Sequence, residues 1–229
     1  MLQEERNRDF VLSHEQEKNY LERAQQPLKD AATLLLDTSL RVGELVALEK
    51  ADIHLKKTNG AKFGYLQVRS GKSKNAKRTI SLTARASEML RVRMAGNDSS
   101  WIFPGEGKTE GVAFLSTSLD DQHSRFRTAL GLPKDFVLHS LRHTFLTRLG
   151  EAGVDAFTIM RIAGHSTITV SQKYVHPSSE AMERAFERLE TLNAAVEPER
   201  AVEPETAAKS SLPATVSATL PAVISDSIM

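Results

Sequence analysis

The chain has 229 residues, of which 40% are apolar and 26% are charged, and it contains no cysteine. This composition is typical of a soluble globular protein and excludes disulfide-stabilised folds and cysteine–zinc sites. The first ten residues carry too many charges for a signal peptide, and no apolar run approaches the length of a membrane span. We therefore expect a cytoplasmic protein without a membrane partner.

The net charge of +1 conceals an acidic C-terminal segment. Residues 194–229 carry a net charge of −3 from two basic and five acidic side chains, which leaves +4 on the rest of the chain. This segment consists mostly of Ala, Pro, Glu, Ser, Thr and Val and predicts a disordered tail. Residues 1–11 form a loose lead-in, and 12–193 one folded domain. A mildly basic domain is compatible with DNA binding where its charge clusters.

The first half of the domain combines helical patterns with short β-like segments. Ser13 followed by Gln16 is a capping-box signature that opens a helix ending near Ala24, and Pro27 lies in the first turn of a second helix. A further apolar pattern follows in LRVGELV. Short strands are predicted over 52–55, 63–69 and 77–82, the last two joined by the basic turn SGKSKNAKR.

The second half of the domain is mainly helical. Helices are predicted over 84–94, 116–131, 139–149, 156–163 and 178–192, with a helical turn that carries Tyr174. Gly150, Gly153 and Gly164 mark the ends of two of these helices, as glycines near a helix C-terminus commonly do. The sequence therefore predicts an α+β fold, mainly α-helical with a small antiparallel β-sheet.

Four polar residues stand at the edges of these helices. His139 and Arg142 are three residues apart at a helix start, His165 follows a glycine, and Tyr174 comes nine residues later. They form a poor metal site, because arginine does not bind metals and no cysteine or carboxylate accompanies them. They form a good phosphate site, because arginine offers a fork of donors, histidine can pass a proton, and a phenol is a potential nucleophile. His143, about 100° around the helix from Arg142, is interpreted as structural.

The pattern His-x-x-Arg-His, then Gly-His, then Tyr nine residues on resembles the catalytic core of the tyrosine recombinase (phage integrase) family. The segment Leu-Arg-x-x-Glu-Leu at 40–45 is similar to the family's first arginine box. The resemblance covers nearly all of 12–193 and implies the catalytic-domain fold of that family. It also implies that Arg41 is a second phosphate-binding arginine, oriented by Glu44. Ser39 stands where the family usually has glycine, so a turn with positive φ would strain it.

The resemblance implies a reaction as well. Tyr174 would attack a DNA backbone phosphate, form a 3′-phosphotyrosyl bond and release a 5′-hydroxyl, and a partner strand's 5′-hydroxyl would then reverse the attack. Arg41 and Arg142 would stabilise the charge where other enzymes use magnesium, so neither a metal nor a cofactor is expected. His139 would accept a proton or bind the phosphate, and His165 would complete the set of donors.

The basic turn between the last two strands carries further candidates. Without the resemblance it is most simply a solvated hairpin tip. By the resemblance it carries a lysine that reaches the scissile phosphate and protonates the leaving oxygen. Lys72 is the first choice for that lysine, and Lys74 is the alternative. DNA contacts are expected from Lys74, Lys77 and Arg78, and from Arg125 on a later helix.

The expected partners are double-stranded DNA and other recombinase protomers, with no small-molecule substrate, and on DNA the protein would be nucleoid-associated. Family members usually have an N-terminal helical domain before the segment that starts here near residue 10, and this chain has no room for it. We therefore expect a fragment, a split-gene product or a stand-alone catalytic domain, incomplete on its own. A recombinase or integrase component is favoured over a type IB topoisomerase-like nicking–closing enzyme and over a non-catalytic DNA-binding remnant.

Overall fold

The computed structural model describes residues 10–69, 77–105, 107, 110–175 and 179–194. In these ranges the elements are α1 (His14–Arg23), α2 (Leu28–Thr38), α3 (Val42–Val46), a 3-10 helix (Lys50–Asp52), β1 (Ile53–His54), β2 (Tyr65–Val68), β3 (Arg78–Ser81), α4 (Ala84–Ala95), α5 (Ser116–Ala129), α6 (Leu138–Glu151), α7 (Ala156–Ala163), α8 (Ile168–Gln172) and α9 (Ser179–Ala194). The helices and the antiparallel three-stranded sheet confirm the predicted fold class.

The chain divides into two units, residues 1–181 and 182–229, and the described part of the second unit is helical. The predicted lead-in and tail fall almost wholly outside the described residues, as do Lys72 and Lys74, so these boundaries and roles stay predictions. Among the described helices, none combines the length and the apolar character that crossing a membrane requires.

The start of α1 has the predicted capping box. The Ser13 hydroxyl accepts a hydrogen bond from the Gln16 main-chain N–H at 3.1 Å, and the Gln16 side chain accepts one from the Ser13 N–H at 2.9 Å. Two main-chain donors that helix geometry leaves unpaired are thereby satisfied. The sequence predicts Pro27 within the first turn of α2, but Pro27 is the N-cap and the helix itself begins at Leu28.

The second helix forms the centre of the main hydrophobic core. Every residue of α2 except Lys29 and Asp30 is buried, because the helix packs against α6 and α4 and also contacts α1, α3 and α5. Each fully buried leucine stabilises the fold by roughly 1.5–3 kcal/mol relative to an exposed one. The buried carboxylate of Asp37 accepts hydrogen bonds from Arg85 Nε at 3.0 Å and from Thr83 Oγ1 at 2.5 Å.

The three strands pair antiparallel in the order β1-β2-β3, with Leu66 opposite both Ile53 and Ile80. Each strand is shorter than predicted by one or two residues at both ends. Gly64 has φ of 87° and therefore leaves the extended conformation just before β2 begins. A Cβ at that position would lie 2.2 Å from the His54 carbonyl oxygen, so only glycine permits this close approach.

The helices of the C-terminal half match the predicted ones within about two residues, with two differences. Helix α6 continues through Gly150 to Glu151, so that Gly150 lies inside the helix rather than at its end. Tyr174 lies beyond α8 rather than inside a helix, in a turn where its N–H donates to the Ser171 carbonyl at 3.1 Å. Helix α7 ends as predicted at Gly164, which has φ of 66°.

Polar contacts connect α6 to α1 and to Leu12, which precedes α1. Glu17 of α1 accepts hydrogen bonds from Arg148 of α6 and, at 2.7 Å, from Arg85 of α4. The Leu12 N–H donates to Thr144 Oγ1 at 3.0 Å. These contacts reinforce the rotation of α6 that the burial of its apolar residues sets.

Candidate active site

A strained turn after α2 introduces the site. Ser39 has φ of 56° and ψ of 20°, so the turn does have a positive φ, the condition under which strain at Ser39 is expected. This conformation costs a non-glycine residue roughly 1–2 kcal/mol. Two hydrogen bonds offset the cost: the Ser39 hydroxyl donates to the Ile162 carbonyl at 3.2 Å, and the Ser39 carbonyl accepts from Arg142. The turn therefore connects the end of α2 to α7 through Ile162 and to α6 through Arg142.

Arg41 lies two residues later, at the N-cap of α3. Its Nη1 donates to Glu44 Oε1 at 2.8 Å, and its Nη2 donates to the Gly164 carbonyl at 3.1 Å. The Arg41 side chain is 40% exposed, so the guanidinium is held at its inner edge and is accessible from solvent. A cleft of about 810 Å³ opens beside it and is lined by Arg41, Glu44, Asp52, Arg69, Trp101 and Gly164.

Glu44 connects two arginines rather than one. Its carboxylate also accepts a bidentate pair of hydrogen bonds from Arg78, at 2.8 and 3.1 Å. Burial alone would raise the pKa of Glu44, but the hydrogen bonds from Arg78 and Arg41 outweigh it and lower the pKa below its usual value. Glu44 is therefore a carboxylate at neutral pH, and its geometry agrees with the predicted orientation of Arg41.

Arg78 differs from its predicted environment. Its side chain is only 6% exposed, and its Nε donates to the Ile162 carbonyl at 2.8 Å while its other nitrogens bind Glu44. This burial argues against the predicted direct DNA contact, because the guanidinium faces the protein interior. The sequence could not distinguish the two situations, since Arg78 is the last of a run of basic residues in the chain.

Arg142 forms the floor of the site. It is 1% exposed, and its guanidinium donates to the Ser39 carbonyl, to the Ala163 carbonyl at 2.9 Å and to His165 Nε2 at 3.2 Å. Burial, followed by the positive charges of Arg41 and Arg78, lowers the pKa of Arg142 to about 10. Arg142 therefore remains charged at neutral pH, and its described hydrogen bonds go to main-chain oxygens and an imidazole rather than to a carboxylate.

The hydrogen bonds of His165 determine its tautomer. Arginine only donates, so Nε2 of His165 accepts from Arg142, and Nδ1 carries the proton that it donates to Ser171 Oγ at 2.8 Å. Burial, followed by the charge of Arg142, lowers the pKa of His165 to about 4. The imidazole is therefore neutral at pH 7. Ser171 was not singled out in the sequence, because a serine within a polar segment carries no distinguishing signal.

His139 lies in the first turn of α6, on the same face as Arg142. His139 as a residue is exposed, yet desolvation by the surrounding protein, followed by the charges of Arg142 and its neighbours, lowers the pKa of His139 to about 4. A neutral imidazole at this position is able to accept a proton.

Tyr174 is almost fully buried. It is 5% exposed, its ring stacks on His165 with 6.2 Å between ring centroids, and its hydroxyl lies 3.3 Å from His143 Nδ1. The interpretation of His143 as merely structural did not foresee this contact. Its angular distance from Arg142 indicated that the two side chains diverge, but not that the Tyr174 ring packs on the His143 side.

The structure thus brings together Arg41, Glu44, Arg142, His165 and Tyr174, with His139 at the rim. Lys77 and Arg125 are exposed, and their predicted DNA contacts stay predictions. Among the described residues there is no group of three or more histidine or carboxylate side chains arranged to hold a metal ion.

Comparison with known proteins agrees with this geometry. The model of the phage integrase family matches residues 11–181. The chain is 29% identical over 168 residues to tyrosine recombinase XerD of Lacticaseibacillus casei, covering 70% of this chain and 55% of the relative. It is 28% identical over 204 residues to the integrase of Staphylococcus phage L54a, covering 79% and 55%. The chain therefore spans about half the length of the curated relatives it matches.

Solved structures show the same fold. The Tn1549 transposon integrase, in complex with a circular intermediate DNA, superimposes with a TM-score of 0.63 at 22% identity, covering 79% of this chain and 66% of that one. The XerA recombinase superimposes with a TM-score of 0.61 at 24% identity, covering 79% and 63%. With a family model that matches most of its length and a catalytic-domain fold shared with these recombinases, the chain belongs to the phage integrase family.

Proposed function

We propose that this chain is a component of a site-specific DNA recombinase or integrase that cleaves and rejoins DNA through a 3′-phosphotyrosyl intermediate. The observation that carries the proposal is the convergence of Arg41, Arg142, His165 and Tyr174. Arg41 reaches the Gly164 carbonyl across 123 positions of the chain, and Arg142 reaches His165 across 23. Two arginines beside neutral imidazoles and a phenol match the requirements of phosphoryl transfer.

In the proposed reaction, the Tyr174 oxygen forms a bond to phosphorus while the bond from phosphorus to the 5′-oxygen breaks. Arg41 and Arg142 stabilise the charge that develops on the two non-bridging oxygens. His139 accepts the phenolic proton, and a lysine of the basic turn, Lys72 or Lys74, gives a proton to the leaving 5′-oxygen. The attack of a 5′-hydroxyl from a second strand reverses the bond changes, so the exchange consumes neither water nor ATP.

The low pKa values of the two histidines are compatible with a site that binds an anion. With pKa values of about 4, His139 and His165 are neutral in the free protein at pH 7. A DNA phosphate placed between them and the arginines favours the protonated imidazole and raises both pKa values towards neutrality. DNA binding would therefore prepare His139 to take the phenolic proton. The free protein avoids adding two further positive charges to a site with three arginines.

We include other protomers among the proposed partners because of α9. Met182, Phe186 and Leu189 recur along one stripe of this helix and are exposed by 53%, 65% and 51%. Such a face normally contacts another protein. It also favours a recombinase, which works on two DNA sites, over a nicking–closing enzyme that acts alone. The double substitution Phe186→Asp with Leu189→Asp should prevent multimeric complexes on DNA, whereas Thr191→Asp, on the opposite face of α9, should not.

The main experiment uses suicide substrates whose cleaved end cannot be rejoined. A pool of nicked duplexes with a randomised central sequence is incubated with the protein, and covalent complexes are isolated under denaturing conditions and sequenced. We expect adducts that share a sequence and that map to Tyr174 by peptide mass. Tyr174→Phe should abolish them, and Tyr65→Phe, which also loses a phenolic oxygen, should not. Adducts that persist in Tyr174→Phe would show that another residue is the nucleophile.

A further inference from the structure

One face of α6 carries three residues that do not belong to the phosphate-binding set. His143, Leu146 and Gly150 are spaced at i, i+3 and i+7 and therefore lie on the same side of the helix. We call them the tyrosine-binding face of α6, because each lies against Tyr174 or in the same hydrophobic cluster.

Gly150 makes the closest of these approaches. A Cβ at this position would lie 1.7 Å from the Tyr174 carbonyl oxygen and 2.7 Å from its carbonyl carbon. Both atoms belong to the main chain and cannot rotate away as a side chain would. Inside a helix, alanine is the more stable choice by roughly 1 kcal/mol in general. The absence of a side chain at 150 is therefore explained by the main chain of Tyr174, not by the conformation of α6.

The other two residues lie against the remaining parts of Tyr174. Leu146 is fully buried in the same small cluster as Tyr174, together with Ile159 and Ala163. At the far end of the ring, His143 Nδ1 lies 3.3 Å from the hydroxyl oxygen. Each residue of the tyrosine-binding face thus corresponds to one part of Tyr174. Gly150 leaves room for its main chain, Leu146 offers an apolar surface to its ring, and the His143 ring nitrogen lies near its hydroxyl.

We propose that Gly150 and His143 are positioning residues for the nucleophile, an inference that rests on the proposed function of Tyr174. Neither residue takes part in bond making. Gly150 sets how closely the Tyr174 main chain approaches α6, and His143 sets where the hydroxyl points. Because a displacement of about 1 Å can cost a reaction on the order of 10²-fold in rate, a single added methyl group at 150 is sufficient to test the idea.

The first test needs neither DNA nor catalysis. Nitration with tetranitromethane, read by peptide mass spectrometry, reports the exposure of each of the three tyrosines separately. In Gly150→Ala we expect Tyr174 to be nitrated several-fold faster than in the unsubstituted protein. Fully buried Tyr20 serves as the folding control and should stay protected, and partly exposed Tyr65 serves as the reference for reagent activity. Unchanged protection of Tyr174 would overturn the role of Gly150.

The second test measures adduct formation on a suicide duplex together with DNA affinity. Gly150→Ala should lower the rate of adduct formation about 10- to 100-fold and leave DNA affinity unchanged. Glu151→Ala, at the neighbouring exposed position, should leave both unchanged. An unchanged or increased rate in Gly150→Ala would overturn the proposal. If the unsubstituted protein forms no adduct, the proposed function fails, and nitration alone decides whether Gly150 positions Tyr174.

The hydroxyl contact is tested at His143. His143→Phe keeps a ring of similar volume but removes the nitrogen, whereas His143→Asn places a polar atom near the position of Nδ1. We expect adduct formation to be slower in His143→Phe than in His143→Asn at equal DNA affinity. Equal rates in the two variants would remove His143 from the proposal and leave Gly150 as the positioning residue.

Discussion

The two groups of catalytic candidates rest on hydrophobic clusters of very different size. Ser39, Arg41 and Glu44 follow or flank residues of the main core, which includes the buried apolar residues of α1 to α4 and the sheet. Tyr174 belongs to a separate cluster in which the other buried residues, within the described part of the chain, are Leu146, Ile159 and Ala163. Because local opening costs less free energy where fewer apolar contacts are lost, the proposed nucleophile lies on the more adaptable part of the site.

The difference fits the chemistry proposed for each group. Phosphate-binding arginines act best when they are already in place before the reaction, since reorganisation during the reaction would add to the barrier. Tyr174 is 5% exposed, so in its proposed role as nucleophile it has to move relative to its surroundings before it meets a phosphate. Helix α6 connects the two clusters, with Leu141 in the main core and Leu146 in the small one.

Among substitutions that leave Tyr174 in place, the largest effect is expected at Arg142, which bridges the two clusters. Its guanidinium binds the Ser39 carbonyl on the side of the main core and Ala163 and His165 on the other. Arg142→Lys keeps the charge but offers one nitrogen for three acceptors, so we expect a fall of about 10²–10³ in the rate of adduct formation. Arg91→Ala, which removes an arginine on the exposed surface of α4, is the control and should cleave normally. Normal cleavage by Arg142→Lys would show that charge alone suffices.

A second prediction concerns the stability of the protein at acidic pH, which depends on His165. The pKa of His165 is about 4 in the folded protein, against an ordinary value of 6.5. Between these values the unfolded chain binds a proton that the folded protein does not, so stability falls as the pH drops from 6.5 to 4. The loss from this one group is on the order of 2–3 kcal/mol.

Urea unfolding at pH 7 and pH 5 measures this dependence. His165→Gln should show a smaller loss of stability between the two pH values than the unsubstituted protein. His14→Gln, on the exposed surface of α1, should leave the dependence as it is. An identical pH dependence in His165→Gln would mean that His165 is not the group responsible.

Substitution of Ser171, which contacts His165 and Tyr174, should lower the rate of adduct formation less than Arg142→Lys does. Its hydroxyl accepts the Nδ1 proton of His165, and its carbonyl accepts the Tyr174 N–H. Ser171→Ala removes the acceptor of this His165 hydrogen bond, and the loss of one such bond, about 0.5–1.5 kcal/mol, should slow adduct formation by up to roughly tenfold. Ser171→Thr should restore most of the activity. Nitrogen NMR of the imidazole would report whether the tautomer of His165 changes with the rate.

The smallest effect, a change in stability, is expected at Ser39, which lies beside the main core. Ser39→Ala keeps the left-handed strain and loses the hydrogen bond to Ile162, so it should destabilise the fold by about 1 kcal/mol. Ser39→Gly loses the same bond but relieves a strain of similar size, and should be nearly neutral. Thermal unfolding of the two variants measures the difference. If Ser39→Gly were the less stable of the two, the strain would not be what distinguishes this position.

Local patterns in the sequence determined much of this protein. The capping box at Ser13, the apolar period of α6, the glycine end of α7 and the left-handed turn at Ser39 all depend on residues within one or two turns of each other. The spacing of His139, Arg142, His165 and Tyr174 also identified the candidate site, because the resemblance to the family motif depends only on residue types and their spacing along the chain.

Only the tertiary structure decided which side chains meet. Arg78 lies 34 positions from the carboxylate it binds, His143 lies 31 positions from the Tyr174 hydroxyl, and neither pairing leaves a periodic trace in the sequence. Gly150 looked like a helix end, because a glycine within a helical pattern most often marks one, and the main chain it accommodates arrives from a different segment. Such contacts follow from the packing of whole elements, in which the burial of apolar faces fixes helix rotation and thereby selects the polar partners.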